Sequence, residues 1–468
     1  MLHKFLPRHS KALNALADVL RQPRTRGLLF RYNLYLTFPK FSDTDLAVAF
    51  AAGKKLANPA YGLLVGTIAP WFKDEPSTIT MGRNLKPCAP FTNPYRPMPY
   101  YLSPVVAQVD ARSRRLSVDM ANCLPEDGPE GDKFNLGTLT IGVRKATAPG
   151  QDPAKNTNPV VAIGTLTNDR RTYRTQAGIY DLSYGHLPRP QQRSLDANDY
   201  ELVLQSGLSG VLLSETPYMV ASDCACTYLD DLPPGESWSD PRVRQRLAQQ
   251  PYPALRGTVD LYVRHRGNVP AGKTTITVEQ WRETPTGLIN EYGLYRYPTL
   301  LRTESVTLSG GQGKYPLTPA EGAGLRLFRF VPPGNFPQDI SPNTLAQLAF
   351  QEFFIELRVL PFDDYTKVRD EDLTFDLIYN EIFRYYHLVL PAMTERLDLS
   401  NPSIWETPTA ARYVLRMVDE QLWGYYNYMP RTRDLSVYRR DLLRRFCAKV
   451  LREREAAAPA SSAPARTV

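Results

Sequence analysis

Apolar residues recur at every second position through much of the chain up to residue 361, and at spacings of three and four beyond it. Leu28, Phe30, Tyr32, Leu34, Leu36 and Phe38 alternate with their neighbours and predict a long first strand. Further strands are expected at Tyr61–Ile68, Val105–Val109, Leu116–Met120, Leu136–Val143, Val160–Leu166, Gly178–Leu182 and Glu201–Leu204. Loops rich in Pro, Gly and Asn separate them, so residues 27–231 read as a larger antiparallel β domain of sandwich or barrel type. A Pro-rich connection follows at 232–256. In residues 257–361, Val259, Leu261, Val263 and His265 alternate with Asp260, Tyr262, Arg264 and Arg266. With four more strand-like runs this predicts a small immunoglobulin-like β-sandwich.

From 362 to 455 the period is helical. Phe375, Ile378, Ile382, Tyr385 and Val389 form one stripe, and Ala411, Leu415, Val418 and Leu422 a second. Leu443, Phe446 and Val450 form a third. Three helices are expected, broken by Pro391, Pro402, Pro408 and Pro430, the last of them capped by Ser436. Residues 1–26 read as an arm with one amphipathic helix capped by Ser10, and 456–468 as a disordered low-complexity tail. The fold class predicted is α+β: an antiparallel β domain, a small β-sandwich and a helical C-terminal region.

The formal net charge of +8 allows nucleic acid as a partner, but basic residues are interleaved with acidic ones and no nucleic-acid motif occurs, so none is expected. Five cysteines with a single close pair, Cys224-Ala-Cys226, suit neither a zinc site nor a disulfide framework. Lys4, Arg8, His9 and Lys11 interrupt any leader-like run, and no apolar stretch approaches a membrane span. The expectation is a cytoplasmic protein with no membrane segment; self-association as a homodimer stays open.

Phosphate-binding loops, dinucleotide fingerprints, HExxH and GxSxG are all missing, so no catalytic residue is assigned. No Glu-x-x-His pair occurs, which excludes a helical di-iron site within this sequence, and no pair of histidines has metal-ligand spacing. His3 and His9 read as solvated, and His387 as a surface or interface histidine. His265 ends the apolar face of a strand, and His186 sits in the loop Tyr184-Gly-His-Leu-Pro188. The densest chemistry is Tyr425-Tyr-Asn-Tyr-Met-Pro-Arg-Thr-Arg-Asp-Leu-Ser436. There, Tyr426 and Tyr428 could stack on a planar ligand while Arg431 and Arg433 pair with a carboxylate. The alternative is that these residues seal a junction. The basic run Arg439, Arg440, Arg444, Arg445, Lys449 and Arg452 reads as a solvated helix face.

That segment and Tyr379-Asn-Glu-Ile-Phe-Arg-Tyr-Tyr-His-Leu-Val-Leu-Pro-Ala-Met393 resemble the chromopyrrolate synthase and violacein-type imine dimerase family of bis-indole biosynthesis. Leu116-Ser-Val-Asp-Met-Ala-Asn-Cys-Leu-Pro125, Leu136-Gly-Thr-Leu-Thr-Ile-Gly142 and Thr175-Gln-Ala-Gly-Ile-Tyr-Asp-Leu182 are similar to its β-domain segments, in the same order. The resemblance implies natural-product biosynthesis and a small aromatic amino-acid-derived substrate, transformed oxidatively with associated haem. His186 and His265 are then the candidate haem ligands, and Tyr426, Tyr428, Arg431 and Arg433 the candidate substrate contacts. This chain departs from the family in lacking its ferritin-like domain and in carrying Ala177 where a histidine is expected. An alternative role follows: an accessory or scaffold subunit supporting a separate oxidase or ferritin-like protein.

Overall fold

The computed structural model describes residues 11–37, 43–54, 61–89, 91–92, 99–127, 132–146, 148, 151, 155–167, 169–197, 199–252, 255–283, 299–334, 353–390 and 397–457. His3, His9, Ser10, Phe38, residues 391–393 and the tail from 458 lie outside them. The chain is α+β, dominated by antiparallel strands, with most of its helices at the C-terminal end. It divides into two compact units. Met1–Ala225, Asp260–Tyr315 and Phe328–Phe354 make the first; Cys226–Val259, Pro316–Leu327 and Ile355–Val468 make the second. The Pro-rich stretch at 232–256 therefore lies inside the second unit. It contains the helix Pro241–Ala248, whose Pro sits at the first turn behind the capping carboxylate of Asp240.

In the first unit an eight-stranded sheet runs in the order Val161–Leu166, Leu139–Lys145, Tyr200–Ser206, Gly210–Thr216, Arg83–Pro87, Val105–Asp110, Arg115–Asp119, Ile179–Ser183. Leu139, Ile141 and Val143 alternate into a core shared with Leu116, Val118, Leu202 and Leu204, all buried. Two ion pairs lie buried in the same unit. Arg83 meets Glu215 through Nε and Nη2, both at 2.7 Å, and Arg144 meets Glu201 at 2.6 Å. A second strand series is ordered Tyr218–Ser222, Thr258–His265, Gln312–Pro316, Thr299–Ser309, Lys273–Arg282.

The first predicted strand is present as Thr25–Thr37, paired with Tyr61–Phe72 in a two-stranded ribbon. Its buried face is Leu29 with Val65 and Ala69 across the ladder, whereas Phe30, Tyr32 and Leu34 stand exposed. Val65 packs on Ala121 and Tyr173, which decides which face turns inward.

In the second unit Cys226–Asp230 and Phe354–Leu360 pair in parallel. The C-terminal helices gather a separate core around Ile378, Ile382, Phe383, Tyr386, Trp405, Leu442 and Phe446. The first of the three expected helices comprises Phe375–Ile378, a π turn Tyr379–Phe383 and Arg384–Val389. A π turn widens the coil and advances the side-chain phase. The α-helical stripe therefore fails beyond Ile382: Tyr386 is buried in place of Tyr385, and Val389 is exposed. The second expected helix is two, Pro402–Trp405 and Pro408–Met417, capped by Asn401 and Thr407. The third is Val437–Ala457, with Ser436 Oγ accepting from the amide of Arg439 as a cap should.

Candidate functional site

The last helix of the second unit begins beside the strand Cys226–Asp230. Asp230 Oδ1 accepts the backbone N–H of Val437 at 2.7 Å, placing a carboxylate where helix-terminal N–H groups lack intrahelical partners. One turn later the same helix carries Arg440, which is 4% exposed. Its Nη1 donates to the Tyr428 hydroxyl at 3.1 Å, and its Nη2 pairs with Glu420 at 2.9 Å. Its Nε is buried without a hydrogen-bond partner. A buried guanidinium N–H left open costs free energy unless something arrives to accept from it.

Asp230 and Arg440 line one cavity of about 260 Å³. Leu229, Leu247, Leu255, Leu360 and Leu435 supply apolar wall, and Tyr228, Trp423 and Tyr438 supply rings. The rings are held in place. Trp423 packs edge-on to Tyr228 at 5.5 Å and against Tyr428 at 5.0 Å, while Tyr438 donates to the carbonyl of Asp231 at 2.8 Å. Arg246 lines the rim already forked onto Glu236.

Burial pushes the carboxyl of Asp230 above its ordinary range, against the opposing effects of the Val437 N–H and Arg440. Asp230 nevertheless keeps accessible surface, as a cavity-lining group does. The arrangement offers a carboxylate on Asp230 and a guanidinium on Arg440 in one cavity with an apolar and aromatic wall. It suits a single small amphipathic molecule, since the volume lies at the low end for ligand sites.

No protein-family profile matches the chain. The 2-imino-3-(indol-3-yl)propanoate dimerase of Chromobacterium violaceum is 35% identical over 115 residues, which cover 24% of this chain and 11% of the dimerase. The matched region is thus a small part of that relative's length. Among solved structures, a biofilm-associated protein BSP domain shares 11% identity over 56% of this chain and 30% of its own, at a TM-score of 0.11. The dimerase match supports no more than a distant relation.

The tyrosine and arginine residues singled out in the sequence do share one loop, outside the cavity lining. Tyr428 is fully buried and backs the cavity through Arg440 and Trp423. Arg433, at φ 54°, donates to the carbonyls of Trp423, Arg431 and Tyr425 and so fastens the loop. Tyr426 is exposed, with the Arg431 guanidinium 3.6 Å above its ring. The basic helix face is engaged rather than solvated: Arg439 pairs with Asp363 and Arg444 with Glu420, and Lys449 donates to the Leu373 carbonyl. Sequence reasoning missed Asp230, Arg440, Trp423 and Tyr438 as a set. Asp230 ends a short strand the pattern did not announce, and Arg440 was hidden among five other basic residues.

The two histidines belong to the first unit, and neither lines that cavity. His186 is exposed in its loop. His265 is half-buried, its ring tilted on Tyr218 at 4.8 Å, and burial with the charge of Arg266 holds it below the ordinary imidazole range. It lines an open cavity whose other residues are mostly polar or charged, with Ala146, Pro217, Pro333 and the ring of Tyr218 as apolar surface. That lining offers little cover for both faces of a macrocycle, so no step below passes through haem. Among the described residues no group of three or more His, Cys, Asp or Glu side chains could hold a metal ion.

Proposed function

We propose that the second unit binds an aromatic α-amino or α-imino acid of specialised metabolism. The observation that carries the reading is the cavity that Asp230 and Arg440 line together with an aromatic and leucine-rich wall. The ligand's carboxylate accepts from Arg440, its ammonium or iminium group donates to Asp230, and its ring lies among Tyr228, Trp423 and Tyr438. Charge-assisted bonds to the α-carboxylate and α-nitrogen orient one end of the molecule, and the apolar wall around the ring supplies most of the affinity. The name of the partial relative, an imine dimerase acting on an indolyl iminopropanoate, supports this class of ligand.

The volume of about 260 Å³ favours one monomer over a coupled pair. The reading therefore extends to a chain that holds and presents the monomer, with oxidation assigned to a separate oxidase or ferritin-like partner. The Tyr426–Arg433 loop acts as support for Trp423 and Tyr428.

The test is titration calorimetry with tryptophan and with indole-3-propionate, which keeps the carboxylate and lacks the nitrogen. Arg440→Gln is expected to weaken both at least tenfold. Asp230→Asn is expected to weaken tryptophan and spare indole-3-propionate. Saturation by neither ligand, or unchanged binding in both variants, overturns the assignment.

A further inference from the structure

We propose that the first unit carries a second ligand site, a cradle built on Arg266 for a small organic anion bearing a carboxylate or phosphate. The site goes beyond the function proposed above and shares no residue with it. It occupies an open cavity of about 790 Å³ lined by Lys145, Asp199, Tyr200, Tyr218, His265 and Arg266, among others.

Arg266 is 7% exposed and sits at φ 45°, in a tight turn where His265 and Asn268 bridge. Its backbone N–H donates to the Pro217 carbonyl at 2.8 Å, which fixes the turn. Its Nη1 lies 3.2 Å from Glu215 Oε2 and 3.5 Å from the Tyr200 carbonyl. Glu215, however, is already committed. It takes Arg83 on both oxygens at 2.7 Å and the Leu202 N–H at 2.8 Å. Two buried guanidiniums thus share one buried carboxylate, an excess of one positive charge.

The contacts that tie the Arg266 guanidinium to Glu215 and to the Tyr200 carbonyl both run through Nη1. With Glu215 shared between two guanidiniums, an anion entering the cavity adds counter-charge beside Arg266 and accepts from its planar fork. At the rim Lys145 and Asp199, both exposed, carry opposite charges, so discrimination for an anion falls to Arg266. The rings of Tyr218 and His265, inclined at 49°, give an aromatic surface for the anion's carbon body. His265, held below its ordinary range by burial and by Arg266, adds a neutral donor or acceptor.

The full chain is titrated by calorimetry with inorganic phosphate and, separately, with benzoate in low-salt buffer. Saturable binding of either ligand is expected, and which one binds separates a phosphate from an aromatic carboxylate as the natural group. Arg266→Lys keeps the charge and loses the fork, and is expected to weaken the bound ligand at least tenfold. Tyr218→Leu leaves the charges intact and is expected to weaken benzoate several-fold while sparing phosphate. Each titration is repeated in the Arg440→Gln background, which removes the aromatic-carboxylate site proposed in the other unit, and the binding that remains is expected to keep its dependence on Arg266. The proposal is overturned if neither anion binds, or if binding follows Lys145→Ala and is indifferent to Arg266→Lys.

Discussion

Glu215 is a buried carboxylate that holds two guanidiniums and one amide, and replacing it tests whether its three partners depend on it. Its side chain is fully buried and faces Arg83 at 2.7 Å, Arg266 at 3.2 Å and the Leu202 amide at 2.8 Å. Glu215→Gln preserves shape and one acceptor oxygen but removes the charge. Two buried guanidiniums then remain without a counter-charge, and breaking such a buried pair from one side costs about 3–5 kcal/mol. Arg83→Met removes the other side. It leaves Glu215 with Arg266, a balanced pair, and deprives the Leu195 and Tyr200 carbonyls of one donor each. Its cost should be smaller, about 2–3 kcal/mol. Urea denaturation followed by hydrogen exchange in peptides covering Tyr200–Ser206 reads both changes in the unit that holds them. In the double variant the losses should add to less than their sum, because the pair is broken only once. A loss below about 1 kcal/mol for Glu215→Gln, or a larger loss for Arg83→Met than for Glu215→Gln, refutes the reasoning.

Burial pushes Glu75 from an ordinary 4.5 up to about 7, so the native state keeps a proton that the unfolded chain has released. Stability from this group is full below pH 4.5 and is lost as pH rises through 7. Thermal melts should therefore show Glu75→Gln flattening that slope and gaining about 1–2 kcal/mol above pH 7, after allowance for partial exposure. The same sign applies to Asp230, whose burial favours the protonated form. Asp230→Asn should melt higher than wild type at neutral pH even as it loses tryptophan binding. Ala177 closes the helix Arg170–Gln176 at φ 50°, a left-handed position, so Ala177→Gly should stabilise by about 0.5–1 kcal/mol in a urea midpoint. Thr407 Oγ1 accepts from Ala410 at the start of Pro408–Met417, and Thr407→Ala should cost about 1 kcal/mol.

The alternation of apolar residues made most strands legible: Leu28–Phe38, Thr258–His265 and Thr274–Trp281 appear within a few residues of expectation. The strands Gly210–Thr216 and Tyr218–Ser222 did not show, because they are nearly continuously buried and carry no alternation. Phase was harder to read than presence. Period two placed Phe30, Tyr32 and Leu34 on one face without saying which face is covered. A 3.6-residue stripe could not anticipate the π turn that exchanges Tyr385 for Tyr386. The site was least legible of all. Cavity lining is set by residues such as Asp230 and Arg440 that meet only through the fold, whereas in the conspicuous Tyr–Arg cluster Arg433 fastens its own loop and Tyr428 is taken up by Arg440.

The second unit is assembled from three stretches of chain separated by segments of the first. Asp230 and its partner Val437 stand 207 residues apart, and the strand Cys226–Asp230 waits for Phe354–Leu360 to pair with it. During synthesis the cavity cannot close until the last helix has emerged, long after the large sheet can condense. Expressing residues 355–468 alone would omit the strand that carries Asp230, and no single contiguous fragment confined to the second unit contains the whole pocket. Tryptophan binding in the cavity of Asp230 and Arg440, as proposed, is thus acquired late, and a ribosome-bound chain lacking Val437–Ala457 should present a folded sheet that does not bind tryptophan.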